Sequence, residues 1–360
     1  MTREIGVGVI GFGLAARVFH APFVSAVPGL TLRAIVERTG DEARRRYPLT
    51  RTVRSVEELL GDEGVELVVV ATPNETHFEL AKRCLEVGKH VVIDKPFAAT
   101  SLEAGELIEL AKARGRVLAP FHNRRWDGDF LTVKRVLEEG PLGRLVTFES
   151  HFDRYRAVPR EGTWKEGEST ANGLLMDLGP HLVDQAVALF GMPRSVTATV
   201  RMDRDGTRIE DAFDILMRYE TPGSRALLVW CRSSMLACDA SPRFLLHGTG
   251  GSFKKFGLDP QEPALVGGAT VPRMGEGDWL EEAEEAWGTL TVAPVLSEPG
   301  NLVRTKVRTE RGDYRNFYAN VRDAMRGDSE LAVPAEAGFA STKLLELARV
   351  SSAEERTVQV

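Results

Sequence analysis

Lys95 stands between Asp94 and Pro96 at the end of an apolar run, HVVIDKPF over residues 90–97. Proline disfavours the helical region for the residue before it, so this ammonium is held in extended backbone angles beside a carboxylate. An ammonium fixed in this way can stabilise an oxygen that gains negative charge in a reaction. The alternative is a lysine in a surface loop, the commonest fate of that residue. A second pair, Asp177 and His181, falls in GLLMDLGPHLVDQAVALFG over residues 173–191. Residues four apart stack on one helix face, where a carboxylate can orient an imidazole and stabilise its charged form. A group that exchanges a proton with an alcohol requires this. Asp184 continues the row, and Pro180 suggests that the helix proper begins near it, with Asp177 in or just before the first turn. His20, His90 and His247 read as structural histidines.

A third group lies in VGVIGFGLAARVFHAPF, where Gly11, Gly13 and Ala16 follow a strand and open a helix. That order suits a tight turn, a close backbone approach to a pyrophosphate, and close helix packing. The glycines alone also fit an ordinary strand-to-helix turn. Glu37 adds to them, because it ends the second strand where an acidic side chain accepts hydrogen bonds from an adenosine ribose. The unit as a whole argues for a dinucleotide. Arg38 leaves two further options open, a 2′-phosphate contact or stacking on adenine. Open α/β sheets bind ligands outside the carboxyl ends of their strands. ATPN (71–74) and DKP (94–96) are therefore expected to face the nicotinamide side of the crevice, with Lys95 pointing into the active site.

IGVGVI (5–10), LRAIVE (32–37), VELVVVA (65–71), HVVID (90–94) and RVLAPF (116–121) alternate with helical segments, the pattern of a parallel α/β sheet that would hold these groups at its strand ends. Phe78, Ala81, Cys84 and Leu85 give residues 75–87 a helical period that Gly88 stops. From about residue 143, VTFESHF (146–152), SVTATV (195–200), DAFDILMRYE (211–220) and RALLVWC (225–231) alternate as strands of an antiparallel sheet whose two faces differ. The boundary is expected near Phe121 to Asp127. This gives a dinucleotide-binding domain over 1–122 and a second domain over 123–360, whose last helix, about 335–350, is free to pack back on the first. The acidic stretch 276–287 reads as a solvated loop or helix face.

A chain of 360 residues with 43% apolar and 27% charged content has the size of two ordinary domains. Its net charge of −6 offers no electrostatic footprint for nucleic acid. Cys84, Cys231 and Cys238 lack metal-ligand spacing and read as free, mostly buried thiols in a reducing compartment, so no metal is expected. The N-terminus has too short an apolar stretch for a signal peptide, and no run approaches the roughly 20 residues that span a bilayer. A soluble, cytoplasmic protein is expected.

GFGLAA, ATPNETH, GKHVVIDKPF, FHNRRWD and GLLMDLGPH occur in the order seen in the Gfo/Idh/MocA family of NAD(P)-dependent oxidoreductases, and the resemblance covers nearly the whole chain. Within that family, RVFHAPF, FHNRRWDGDF, ESHFDRY and GLDPQE look most like the branch containing scyllo-inositol dehydrogenases. The resemblance implies a Rossmann domain with a parallel sheet, followed by a substrate-binding and oligomerisation domain over 123–360, an α/β domain with a large, mostly antiparallel open sheet that serves a homodimer or homotetramer. It matches Lys95 to the lysine of a Glu-Lys-Pro motif, and Asp177 and His181 to a catalytic Asp and His. Cofactor contacts fall on Gly11, Phe12, Gly13, Leu14, Ala15, Glu37, Arg38, Thr72, Pro73, Asn74, His77, Asp94 and Lys95. The chain departs from the pattern at Asp94, where glutamate is usual, and at Ala16, where the third glycine would stand.

These readings join in one mechanism with NAD or NADP, NAD slightly favoured. Lys95 would hydrogen-bond the reacting oxygen as a hydride leaves the carbon, and His181, oriented by Asp177, would take the hydroxyl proton. Whether lysine or histidine moves the proton stays open. Asn123, Arg124, Trp126, His151, Asp153 and Tyr155 are candidates for the substrate pocket, with core packing the alternative for Trp126 and Tyr155 and a salt bridge for Arg124. So many polar groups suit a ring bearing several hydroxyls, an inositol-like polyol or a sugar. Two other classes occur in the same family, a glycosidase using tightly held NAD and a sugar sensor without turnover. The latter would have no need of Lys95, Asp177 and His181 as a relay.

Overall fold

The chain folds as two compact units, one of Met1–Trp126, Gln261–Leu280 and Asp313–Thr342, the other of Asp127–Pro260, Glu281–Gly312 and Lys343–Val360. The computed structural model describes every residue except 1–2, 161, 164–165, 170, 222, 224, 278 and 296–299. Met1 and Thr2 of the N-terminal stretch and Asp278 of the acidic stretch thus lie outside the described residues.

In the first unit, β1 (Ile5–Ile10), β2 (Leu30–Val36), β3 (Arg51–Val53), β4 (Leu67–Val70), β5 (His90–Ile93) and β6 (Leu118–Pro120) form a parallel sheet in the order β3-β2-β1-β4-β5-β6. The order reverses between β1 and β4, which places a topological switch point at their carboxyl ends. β4 shows why the apolar runs are continuous rather than alternating. Leu67 and Val69 enter one core, which α1 (Ala21–Ala26) and α9 (Arg315–Arg326) help to build, while Val68 and Val70 enter another with α4 (His77–Glu86) and α5 (Ser101–Arg114). Burying each such side chain stabilises by about 1.5–3 kcal/mol.

A single cut at 122/123 would assign 261–280 and 313–342 to the second domain, whereas both pack with the first unit. The cause is apolar. Tyr314, Phe317, Tyr318 and Val321 belong to the same core as Val7, Val9, Leu30 and Leu32, and without them one face of the parallel sheet would lose part of its cover.

In the second unit, α6 (Gly128–Glu139) and α7 (Leu174–Phe190) accompany a sheet of nine strands. These are β7 (Leu145–His151), β8 (Ser195–Arg201), β9 (Ala212–Thr221), β10 (Arg225–Ser234), β11 (Phe244–Gly248), β12 (Gly251–Lys255), β13 (Gly288–Val292), β14 (Val303–Val307) and β15 (Val358–Gln359). Their order is β14-β13-β12-β11-β7-β10-β9-β8-β15, antiparallel throughout except for the parallel pair β7 and β10. β10 alternates as expected, with Leu227, Val229, Cys231 and Ser233 buried and Ala226, Leu228, Trp230, Arg232 and Ser234 half-buried on the other face.

α7 does not begin near Pro180. It starts at Leu174, with Pro180 inside it and Asp177 in its first turn. The missing proline N–H removes one intrahelical bond, yet the small pair Gly179-Pro180 permits close packing: a Cβ on Gly179 would lie 2.8 Å from Leu345 of α10 (Ala335–Ala353). The last helix contributes to three cores, since Ala335 and Ala337 belong to the two of the first unit and Leu344, Leu345 and Ala348 to that of the second. Along the acidic stretch, Glu284–Ala286 form a single exposed turn, but Glu282 faces inward and pairs at 2.7 Å with the fully buried Lys255.

Candidate active site

Three loops meet at the carboxyl edge of the parallel sheet. Gly11 follows β1 with φ of 92°, and a Cβ there would lie 2.6 Å from the Ala71 carbonyl oxygen after β4, so only glycine fits. Gly13 has nothing within 4 Å of such a Cβ, which leaves open space over the turn for a phosphate to approach the backbone. Leu14 is 57% exposed on the same turn, Ala15 is half-buried, and the half-buried Phe12 lies edge-on to Tyr47. These residues fit a dinucleotide. Past the turn the helix widens to a π stretch, Ala16–His20, just ahead of Pro22, which has no N–H to continue the α pattern. Ala16 is fully buried where the third glycine would stand, so a methyl group is accommodated.

At the end of β2 the Glu37 carboxylate accepts hydrogen bonds from the N–H groups of Glu42 (3.1 Å) and Ala43 (3.0 Å), the first residues of α2 (Glu42–Arg46). It therefore caps that helix while remaining half-exposed, with the exposed Arg38 beside it. After β4, the hydroxyls of Thr72 and Thr76 meet at 2.7 Å; Pro73 is exposed and Asn74 half-buried. His77 is buried, with Nε2 2.9 Å from the Thr72 carbonyl oxygen and Nδ1 2.8 Å from that of Pro96. Burial lowers its pKa, against the pull of the two carbonyl oxygens and the Asp94 charge. His77 thus ties the β4 loop to the β5 loop.

Lys95, half-buried, donates its backbone N–H to Asp94 Oδ1 at 2.7 Å, and the Lys95-Pro96 peptide is cis. Burial pushes the Asp94 carboxyl up, but the contact with His20 and the charges of His20, Lys95 and His77 outweigh it and hold the group at about 2. His20, read from sequence as merely structural, is fully buried with Nε2 3.6 Å from Asp94 Oδ2 and Nδ1 2.6 Å from the Tyr318 hydroxyl. After β6, Asn123 and Arg124 are buried, and Arg124 forms an ion pair with Glu262, the salt-bridge alternative. Trp126 packs edge-on against Phe317 at 5.7 Å, so the core-packing alternative describes it.

In the second unit, His181 is buried on α7 one turn beyond Asp177, and Asp184 is buried a turn further. The Asp177 carboxylate meets Arg154 Nη1 at 3.4 Å, a partner that the sequence did not single out because Arg154 lies in a loop without periodicity. His151 stands 3.4 Å from Glu149 and 3.6 Å from Asp153, whose carboxyl also accepts the Ser234 N–H at 3.0 Å. Burial raises the Asp153 pKa, yet hydrogen bonds from His151 and Ser241 outweigh it and keep the group ionised. Tyr155 is 61% exposed and joins Leu236 in an isolated backbone bridge, outside both the core and this cluster. Among the described residues no three His, Cys, Asp or Glu side chains gather as a metal-ligand set. Cys84 and Cys231 are buried free thiols and Cys238 an exposed one, and no described helix is long and apolar enough to cross a membrane.

Comparison with known proteins agrees with this geometry. The profile of an oxidoreductase family with an NAD-binding Rossmann fold matches residues 5–122, and that of the same family's C-terminal alpha/beta domain matches 134–360. The chain is 42% identical to the oxidoreductase YdgJ of Escherichia coli (strain K12), over 99% of this chain and 98% of that one. It is 36% identical to scyllo-inositol 2-dehydrogenase (NADP(+)) IolW of Bacillus subtilis (strain 168), over 99% and 96%. A solved oxidoreductase structure from Yersinia pestis superposes with a TM-score of 0.91 at 38% identity, over 100% of this chain and 98% of that one. With both of its domain profiles matched in order, the chain belongs to the Gfo/Idh/MocA family of NAD(P)-dependent oxidoreductases.

Proposed function

We infer that this oxidoreductase interconverts a ring hydroxyl and the corresponding ketone of a cyclic polyol or sugar, of inositol type, with NAD slightly favoured over NADP. The observation that carries this reading is Lys95, fixed by Asp94 at the end of β5 in an NAD-binding unit, in a chain whose second unit presents Asp177 and His181 on one helix. The similarity to a scyllo-inositol 2-dehydrogenase supports the substrate class.

In this scheme the Gly11–Gly13 turn and the amino end of the following helix bind the pyrophosphate, and the Glu37 carboxylate, held by the α2 amides, meets the adenosine ribose. When bound, the dinucleotide supplies the acceptor for the hydride. The Lys95 ammonium stabilises the reacting oxygen as it takes alkoxide character, and His181 accepts the hydroxyl proton; reduction runs the same steps in reverse. Asp177, paired with Arg154, sets the field around His181 from the preceding turn of α7. Asn123, Asp153 and their neighbours hold the other ring hydroxyls. The active assembly is a homodimer or homotetramer in the cytoplasm.

A panel of inositols, inososes, hexoses and a simple secondary alcohol, read by absorbance of the reduced cofactor, tests the reading. The expected result is a kcat/KM for at least one cyclic polyol well above that for the simple alcohol. Equal values across the panel defeat the substrate class, and release of an aglycone without net reduced cofactor replaces the dehydrogenase with a glycosidase.

A further inference from the structure

We propose that Asp94, His20 and Tyr318 form a buried brace whose task is to position Lys95, a role that rests on Lys95 acting at the reacting oxygen. The contacts run in one line. The Tyr318 hydroxyl lies 2.6 Å from His20 Nδ1, His20 Nε2 faces Asp94 Oδ2 at 3.6 Å, and Asp94 Oδ1 takes the Lys95 N–H at 2.7 Å. His20 and Tyr318 are fully buried, and the Asp94 side chain is 14% exposed.

The proton positions follow from the partners. Nε2 faces a carboxylate and so carries a ring proton, while Nδ1 and the Tyr318 hydroxyl share a hydrogen bond whose donor is set by the state of the ring. Tyr318 remains a phenol, because burial and then the nearby Asp94 charge push its pKa well up. A buried carboxylate left without partners is costly, and one removed partner exposes that cost to the rest of the cluster. The brace also has little room to slacken. Phe121 lies against His20 with ring centroids 4.2 Å apart, and Phe121, Phe317 and Tyr318 pack on one another. On its other flank His77 holds the Pro96 carbonyl, so the backbone on both sides of the Lys95 side chain is tied down. Side chains that must act within a fraction of an ångström need this kind of support.

The three groups act through Lys95 as positioning residues, Asp94 being also one of the expected cofactor contacts, and the test must separate positioning from cofactor binding and from simple stability. Asp94→Asn, Asp94→Glu, His20→Asn and Tyr318→Phe are compared in the native chain and in the Lys95→Ala background. kcat is measured with scyllo-inositol, dinucleotide Kd by fluorescence titration, and amide exchange of residues 90–97 by mass spectrometry. In the native chain, Asp94→Asn and His20→Asn are expected to lower kcat by about 10-fold or more, with Kd within about threefold, since a loosened group loses transition-state rather than ground-state contact. Asp94→Glu, which keeps the charge, recovers most of that loss, and Tyr318→Phe gives the smallest one. In the Lys95→Ala background the same substitutions have no further effect, because groups acting through one another are not additive. Exchange at 90–97 accelerates in Asp94→Asn and His20→Asn whatever the substrate. Equal losses in both backgrounds, or unchanged exchange at 90–97, overturn the brace. Normal turnover in Lys95→Ala with accelerated exchange in Asp94→Asn instead removes Lys95 from the chemistry and leaves the brace standing. Should His20→Asn fail to fold, Asp94→Asn against Asp94→Glu decides.

Discussion

The two sheets bury their side chains in opposite ways, and the difference decides where chemistry can sit. In β4 successive residues enter two different cores, whereas in β10 every second residue is half-exposed. A parallel sheet covered on both faces has no free face for a ligand, but its strands all end at one edge, so single loops after β1, β4 and β5 gather Gly11, Thr72 and Lys95 there. An antiparallel sheet sends its strand ends both ways. The second unit accordingly carries its candidates on α7 and on the segment just past β7, where Asp177 and Arg154 meet. The convergence of strand ends gathers the first set, and side-chain pairing on one helix gathers the second.

The largest expected effect separates these two sets. Lys95→Ala should lower kcat by about 100-fold or more and leave dinucleotide affinity little changed, the loss typical of a preorganised electrostatic group. Oxidation should rise with pH through one ionisation that is absent in His181→Ala, and an unchanged pH profile in that variant moves the base role to Lys95. A smaller effect probes the sheets themselves. Val68→Ser and Val69→Ser should each destabilise by about 1–3 kcal/mol in urea unfolding, whereas of Val229→Ser and Leu228→Ser only the former should. Equal costs along β10 would mean that its second face is covered in solution.

Acid titration sharpens the contrast at Asp94. Its folded pKa of about 2 lies below the ordinary value of 3.8, so its ionisation stabilises the fold above about pH 4–5, and that contribution fades as pH falls toward 2. The shift corresponds to about 2 kcal/mol, so the stability gap between the native chain and Asp94→Asn should narrow by about that amount over this window. A constant gap would show that the carboxylate is not held by its neighbours. The smallest effect concerns the cofactor. Glu37 disfavours a 2′-phosphate while Arg38 softens the preference, so kcat/KM should favour NAD over NADP by a few-fold, about 3- to 10-fold. A strong NADP preference would place Arg38, not Glu37, at the ribose.

Much of this was legible in the sequence where one local rule dominated. β1, β4 and β5 are unbroken apolar runs, Gly11 and Gly13 punctuate the turn, and β9 and β10 alternate with period two. Strands β11 to β15 have at most five residues each and mixed patterns, too little period to stand out. Pro180 lies inside α7 rather than at its start, beside Gly179, which sits close against Leu345, a tertiary contact that no local rule reads. His20 is a buried, packed histidine as its sequence setting suggests, but its partners could not be read locally because they lie far along the chain: Tyr318 is 298 positions away.

That separation bears on how the protein is made. During synthesis the ribosome releases β1 to β6 long before α9 emerges, and until then the nascent sheet has one face without its Tyr314, Phe317 and Tyr318 cover. Residues 1–122 therefore form an incomplete globule at that stage, exposed to chaperones and proteases. His20 meets its hydroxyl partner only when residue 318 has left the exit tunnel. The Lys95 loop is therefore completed near the end of translation, and a stalled or truncated chain would carry the dinucleotide turn without the packing behind that loop.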